Sequence, residues 1–155
     1  MNRNRQKGLS TVEFSLIAAV LFVLIFAVIE IGRAFFVASA LDEASRRGAR
    51  MAVVCPVNDP AIAQAAAFNN TVIPGLDAGD IVVEYLDAAG AVVGAPASVA
   101  GFRLIRYVRV RVVGYQHQMF IPLVVALGPF VMPEFAAVLP RESLGIPRTG
   151  VITPC

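Results

Sequence analysis

The feature that most limits this chain is a stretch without charge. From Phe14 to Ile29 no residue is ionisable, and the apolar run continues to Ile31 with Glu30 as its one interruption. A helix needs roughly 20 mostly apolar residues, at about 1.5 Å rise each, to cross the hydrocarbon of a bilayer. Val12–Ile31 supplies that length, rich in Leu, Ile, Val and Phe. A removable secretory signal would share the basic start and the apolar core, but it is shorter and ends at a small-residue cut site. No Ala-x-Ala-like site followed by a change of composition comes after Ile31, so a retained membrane anchor is the expectation.

The flanks orient it. Arg3, Arg5 and Lys7 precede the span with no acidic residue among them, whereas Arg46, Arg47 and Arg50 beyond it are mixed with Asp42 and Glu43. The positive-inside rule then puts the N-terminus in the cytoplasm and everything after about residue 32 outside. Hydrophobic residues make up 57% of the chain and charged ones 15%, below the roughly 25% charged of ordinary globular chains. The formal net charge of +2 falls to −1 once the three cations before the span are set aside. That leaves no electrostatic footprint for nucleic acid.

The helical pattern does not stop at the membrane. Val37, Leu41, Ala44, Gly48, Met51 and Cys55 recur at three- and four-residue steps and form one apolar face. Glu43, Arg46, Arg47 and Arg50 form the opposite face, with Asp42–Arg46 and Glu43–Arg47 as acid-before-base pairs four apart. Pro56 should end the helix, because the residue before a proline is pushed out of helical geometry. A helix over Leu9–Val54 would be about 69 Å long, more than twice the hydrocarbon thickness. Its outer half therefore has a face to cover.

Asp59-Pro60 ahead of an Ala-rich run reads as a helix start, with Asp as the N-cap and Pro first in the helix. Asp80–Leu86 has strand composition, and Asp87-Ala88-Ala89-Gly90 fits a hairpin turn into Ala91-Val92-Val93. Leu104–Tyr115 is the clearest strand: Val108, Val110 and Val112 alternate with Tyr107, Arg109 and Arg111, giving one buried and one solvated face. Met119–Val131 is a second apolar run, but Pro122, Gly128 and Pro129 interrupt it, so a loop or short helix packed under the sheet is expected. A last strand is expected near Glu134–Leu139. The fold class is α+β: a long N-terminal transmembrane helix running into a small outer domain whose antiparallel sheet packs on the helix's outer half. The divisions are a leader at 1–8, the membrane half of the helix at 9–32, its outer half at 33–55, and a sheet domain at 56–155.

The junction Lys7-Gly8-Leu9-Ser10-Thr11-Val12-Glu13-Phe14 narrows this further: a basic leader ends in Gly, and Glu falls fifth after it inside an apolar helix. This resembles the processing site of type IV pilins and pseudopilins, where a prepilin peptidase cuts after the Gly. Glu13 followed directly by the aromatic Phe14 resembles the tight-adherence (Flp, type IVb) branch. With Ile29-Glu30-Ile31-Gly32-Arg33 and Leu41-Asp42-Glu43-Ala44-Ser45-Arg46-Arg47-Gly48-Ala49-Arg50, the chain looks like the TadE-like pilus assembly family. Ala44-Ser45 stands where that family usually has Ala-Ala. The resemblance covers about the first 50 residues and is diffuse past Cys55, with a final Arg141-Glu142 near the end. It implies a mature chain starting at Leu9 and a minor-pilin or pseudopilin role. The implied partners are the inner membrane, the prepilin peptidase and other pilins met through helix–helix packing.

The chemistry of Glu13 agrees with that resemblance. A carboxylate in hydrocarbon costs about 3 kcal/mol or more, so it is normally partnered. In pilin assemblies the partner is thought to be the α-amine freed by cleavage, here that of Leu9, about 6 Å away along the helix. The bland alternative is a solvated Glu13 at the headgroup boundary. For Glu30, at the outer boundary, snorkelling to water is the expected behaviour. Cys55 and Cys155 both fall outside the membrane in this topology. A bridge between them is the expectation, with free thiols or an intermolecular bond as the alternatives.

Nothing points to catalysis or a cofactor. One histidine, His117, is expected at the surface or at a strand end and cannot build a histidine-rich metal site. There is no glycine-rich phosphate loop and no nucleophile elbow. The rival to the pilin reading is an uncleaved, signal-anchored envelope protein whose outer domain binds a ligand or a protein partner.

Overall fold

The computed structural model describes residues 6–120, 128–146 and 155. One helix dominates them: α1, Gln6–Ala52, 47 residues and about 70 Å long. It begins ahead of the Gly8–Leu9 junction and ends two residues before the expected Val54. The last turn tightens as Pro56 approaches: the Val54 N–H donates to the Met51 carbonyl at 3.1 Å and the Cys55 N–H to the same oxygen at 2.8 Å.

The outer half of α1 is the spine of an α+β domain. A short helix α2, Pro60–Ala66, starts as the sequence indicates, with Asp59 Oδ1 accepting from the Ala61 N–H at 2.9 Å. Strand β1 is Ile81–Leu86 and β2 is Tyr107–Val112. A two-residue pair follows, β3 at Gln116–His117 and β4 at Phe130–Val131, and the last strand, β5, is Phe135–Pro140. The main sheet is antiparallel in the order β1-β2-β5, with β3 and β4 a separate antiparallel ribbon.

Strand β2 is central and its alternation is as expected: Val108, Val110 and Val112 are buried, while Tyr107, Arg109 and Arg111 face outward. Together β2 and β5 lie across α1. The outer half of α1 carries Leu41, Ala44, Ser45, Gly48, Ala49 and Ala52, all buried. The small residues matter because they let backbones come close. A Cβ on Gly48 would lie 2.8 Å from Val110 Cγ1 and 2.9 Å from Ala66 Cβ, so only glycine fits between β2 and α2. Ser45, the polar residue on this face, is satisfied by donating its hydroxyl to the Asp42 carbonyl at 2.8 Å.

Several expectations need correcting. Leu104 does not start β2; it ends a short helix, α3, Val99–Leu104, whose N-cap Ser98 accepts from the Gly101 N–H at 3.0 Å. The Asp87–Gly90 turn is present, with Gly90 at φ +82° and the Asp87 N–H donating to the Ala91 carbonyl at 2.9 Å. Its second arm is one bridge, Leu86 to Val92, rather than a strand. Arg46 pairs with Asp42 as expected, at 2.7 Å, but Glu43 pairs with Arg46 and Arg50, each at 3.3 Å. Arg47 instead sits over the Phe68 ring, 5.4 Å from its centroid, because the turn after α2 brings that ring to the helix. The expected loop or short helix within Met119–Val131 falls largely on 121–127, outside the described residues; its far end is β4.

Candidate functional site

The N-terminal half of α1 is the first part of the site. Gly8 and Leu9 lie within its opening turns. Glu13 and Phe14 are both exposed, one turn farther on. None of the ion pairs among the described residues involves Glu13. From Val12 to Ile31 the large apolar side chains stand open to the surroundings. An 18-residue stretch of this helix has a mean hydropathy of 2.9, and none of that stretch is buried by the rest of the fold. A core helix of that composition would be covered by its own protein; this one needs lipid or other helices around it. It is the one helix among the described residues long and apolar enough to cross a membrane.

The outer end of that segment carries a cluster that sequence reasoning missed. Glu30 does not reach for water alone. Its Oε1 pairs with Arg33 Nη1 at 2.9 Å and lies 3.3 Å from His117 Nε2. Its Oε2 accepts from the Phe120 N–H at 3.2 Å. The Arg33 guanidinium in turn stacks on the Phe120 ring, 3.9 Å from its centroid. The Glu30 side chain keeps 12% of its exposure. His117 is at a strand end, as expected, but it is buried, at 2%. The Arg33 partner was legible, three residues away on the same helix face. The other two donors come from 87 and 90 residues downstream, and no local pattern announces them.

At the far end of α1 the C-terminal segment closes over the helix terminus. The last carbonyls of a helix lack partners within it. Here the Val53 carbonyl accepts from the Glu142 N–H at 3.3 Å and from the Leu144 N–H at 3.1 Å. The Val54 carbonyl accepts from the Gly145 N–H at 2.7 Å and the Ser143 hydroxyl at 3.2 Å. Cys55 and Cys155 are joined in a disulfide, with Cα atoms 5.7 Å apart. Asp59 serves twice, capping α2 with Oδ1 and accepting from the Cys155 N–H with Oδ2 at 3.2 Å.

The sheet face turned away from α1 holds a closed charge network. Glu84 pairs with Arg109 at 2.6 Å and Arg111 at 2.9 Å, and Arg111 also reaches Glu134 at 3.1 Å. Burial pushes the Glu84 carboxyl up, but the hydrogen bonds and charges of Arg109 and Arg111 outweigh it and hold the group below its ordinary value. Beneath it, burial raises the Tyr85 hydroxyl, which accepts from the Asn58 N–H at 3.1 Å. These groups are paired with one another. Among the described residues no three His, Cys, Asp or Glu side chains converge as metal ligands would.

The family model described as TadE-like protein matches residues 8–50, opening on Gly8 and closing just inside the end of α1. This segment is TadE-like. The match likens this segment to proteins of that family and does not reach the rest of the chain. It covers the apolar half of α1, the Glu30–Arg33 pair and most of the small-residue face under the sheet, and it leaves the sheet domain outside. No curated protein and no solved structure matches the chain significantly.

Proposed function

We propose that this TadE-like chain is a minor pilin or pseudopilin of a tight-adherence pilus. In this reading a prepilin peptidase cuts between Gly8 and Leu9 on the cytoplasmic side. The mature chain then sits in the inner membrane on α1, with the sheet domain outside, and joins other pilins by helix–helix packing. One observation carries the reading: the family similarity opens at Gly8 itself, with Glu13 at the fifth position after it.

The local structure suits the chemistry. Gly8 lies in the opening turns of α1, where backbone N–H groups lack partners within the helix and the chain opens easily. An extended segment with a small residue at the cut can thus be presented without unwinding the span. After cutting, the Leu9 α-amine lies about 6 Å along the helix from Glu13. Glu13 is free to take it, on the same or a neighbouring chain, and in a low-dielectric setting that pairing fixes helix register.

Coexpression with the prepilin peptidase of the same system, followed by mass spectrometry of the mature N-terminus, tests this. The chain should start at Leu9, and Gly8→Glu should leave the leader on. Glu13→Ala should be cut yet fail to support piliation. An intact leader on the native chain would favour the uncleaved, signal-anchored alternative, and normal pili from a cut Glu13→Ala protein would remove the role given to the carboxylate.

A further inference from the structure

The β3–β4 ribbon and Phe120, three residues past the end of β3, touch α1 at Glu30 and Arg33, where the apolar half of the helix ends. Among the described residues outside α1, theirs are the exposed phenylalanine rings. Residues 116–120 and 128–133, the described ones here, include no charged residue, and their one ionisable side chain, His117, is buried. Phe120 is 74% exposed, Phe130 51% and Val131 60%. Phe35 and Phe36, also exposed, stand on α1 one to two turns past Glu30. By contrast, the outer sheet face carries Glu84, Arg109, Arg111 and Glu134, and the outer half of α1 carries Asp42, Glu43, Arg46 and Arg50. Aromatic, uncharged surface beside the end of a span is what the interfacial zone of a bilayer selects.

The Glu30 cluster points the same way independently. A carboxylate at an open membrane boundary can turn to water. Here Arg33, the Phe120 N–H and, in the tautomer that donates, His117 Nε2 surround it instead. Donors supplied by the protein replace water where a charged group must be kept out of hydrocarbon.

We propose that the β3–β4 ribbon, together with Phe120, docks on the outer surface of the phospholipid bilayer. The Phe120 and Phe130 rings and the Val131 side chain enter the boundary between headgroups and acyl chains, which sets the height and rotation of the sheet domain over the membrane. The proposal rests on α1 crossing the membrane, and its occupant is the lipid surface rather than a second copy of the chain.

The chain has no tryptophan, so single substitutions report on single places. Phe120→Trp, Phe130→Trp, Phe22→Trp within the span and Val99→Trp at the far end are each made in the full chain. Each is reconstituted at low protein-to-lipid ratio in phosphatidylethanolamine–phosphatidylglycerol vesicles with brominated acyl chains. The indole emission of Phe120→Trp and Phe130→Trp should shift to the blue and fall by roughly half through bromine contact, as for interfacial side chains. Phe22→Trp should be quenched most by deeply placed bromine, and Val99→Trp scarcely at all. Quenching at position 22 without quenching at positions 120 and 130 would overturn the docking and leave the span standing. A blue shift at positions 120 and 130 without bromine quenching would mean that protein covers the ribbon, and would overturn it as well. No quenching at position 22 would defeat the spanning reading itself.

Discussion

Glu30 and Phe120 are ninety residues apart in the chain, yet the Phe120 N–H donates to Glu30 Oε2 at 3.2 Å. The contact joins the end of the apolar segment to the β3–β4 ribbon, and it makes Glu30 a structural residue of the outer domain as well as a boundary charge. Glu30→Ala would leave Arg33, His117 and the Phe120 N–H without their acceptor. Of these donors His117 is buried while Arg33 and the Phe120 N–H can turn to water, so the cost is about 1 kcal/mol, the low end for a lost buried partner. Thermal unfolding in detergent micelles should show the loss, and Glu30→Gln, which keeps an acceptor oxygen, should lose less. Equal stability of the alanine variant and the parent would mean that water replaces the carboxylate freely.

The Cys55–Cys155 bridge closes a loop spanning 100 residues. In the chain-entropy model a loop of that length is worth up to about 4–5 kcal/mol. Cys155→Ser should abolish the mobility difference between reduced and non-reduced protein and lower the unfolding midpoint in chemical denaturant. It should leave membrane insertion unchanged, since the apolar run alone secures it. Fully alkylatable thiols in protein isolated under oxidising conditions would exclude the bridge in the native chain.

Gly48 has no room for a side chain, with Val110 and Ala66 both within 3 Å of where its Cβ would lie. Gly48→Val should therefore destabilise the domain by about 1–3 kcal/mol through overpacking. The same substitution at Gly32, which has nothing within 4 Å of such a Cβ, should be far milder. Comparing the two in denaturant titrations separates crowding from a general effect of adding a β-branched residue. Equal effects at both positions would refute the close-packing explanation.

Acid should weaken the sheet domain through Glu84. Its carboxyl is held below the ordinary value when folded, so on acidification the unfolded chain takes up the proton first. The stabilisation is therefore fully present above the unfolded carboxyl's value, about 4.3, and is lost as pH falls through the lower folded value. Glu84→Gln should be less stable than the parent at neutral pH, with a shallower acid limb. The two stability curves should converge at the acid end, and parallel curves across the whole range would contradict the assignment.

The sequence by itself determined what depends on near neighbours. An uncharged run of sufficient length specifies a helix long and apolar enough to cross a membrane, wherever the rest of the chain goes. The three-and-four spacing of Val37, Leu41, Ala44 and Gly48 specifies which face of its extension is covered. The alternation in β2 and the Asp59-Pro60 start of α2 were legible for the same reason: each signal and its effect lie within one turn or one pleat. Gly8, Glu13 and Phe14 could be singled out because their spacing, too, is contained in one short segment.

Only the tertiary structure decided who pairs with whom across the chain. Arg47 left Glu43 for Phe68 because a distant turn brought a ring within reach. The bare carbonyls of Val53 and Val54 took donors from residues 142–145, and Glu30 acquired His117 and Phe120. Such contacts carry no periodicity, and their energies of a kilocalorie or so appear only after burial of the apolar core has brought the segments together. The apolar half of α1 was thus legible as a long exposed helix, whereas the arrangement of the sheet domain against its other half was set by packing.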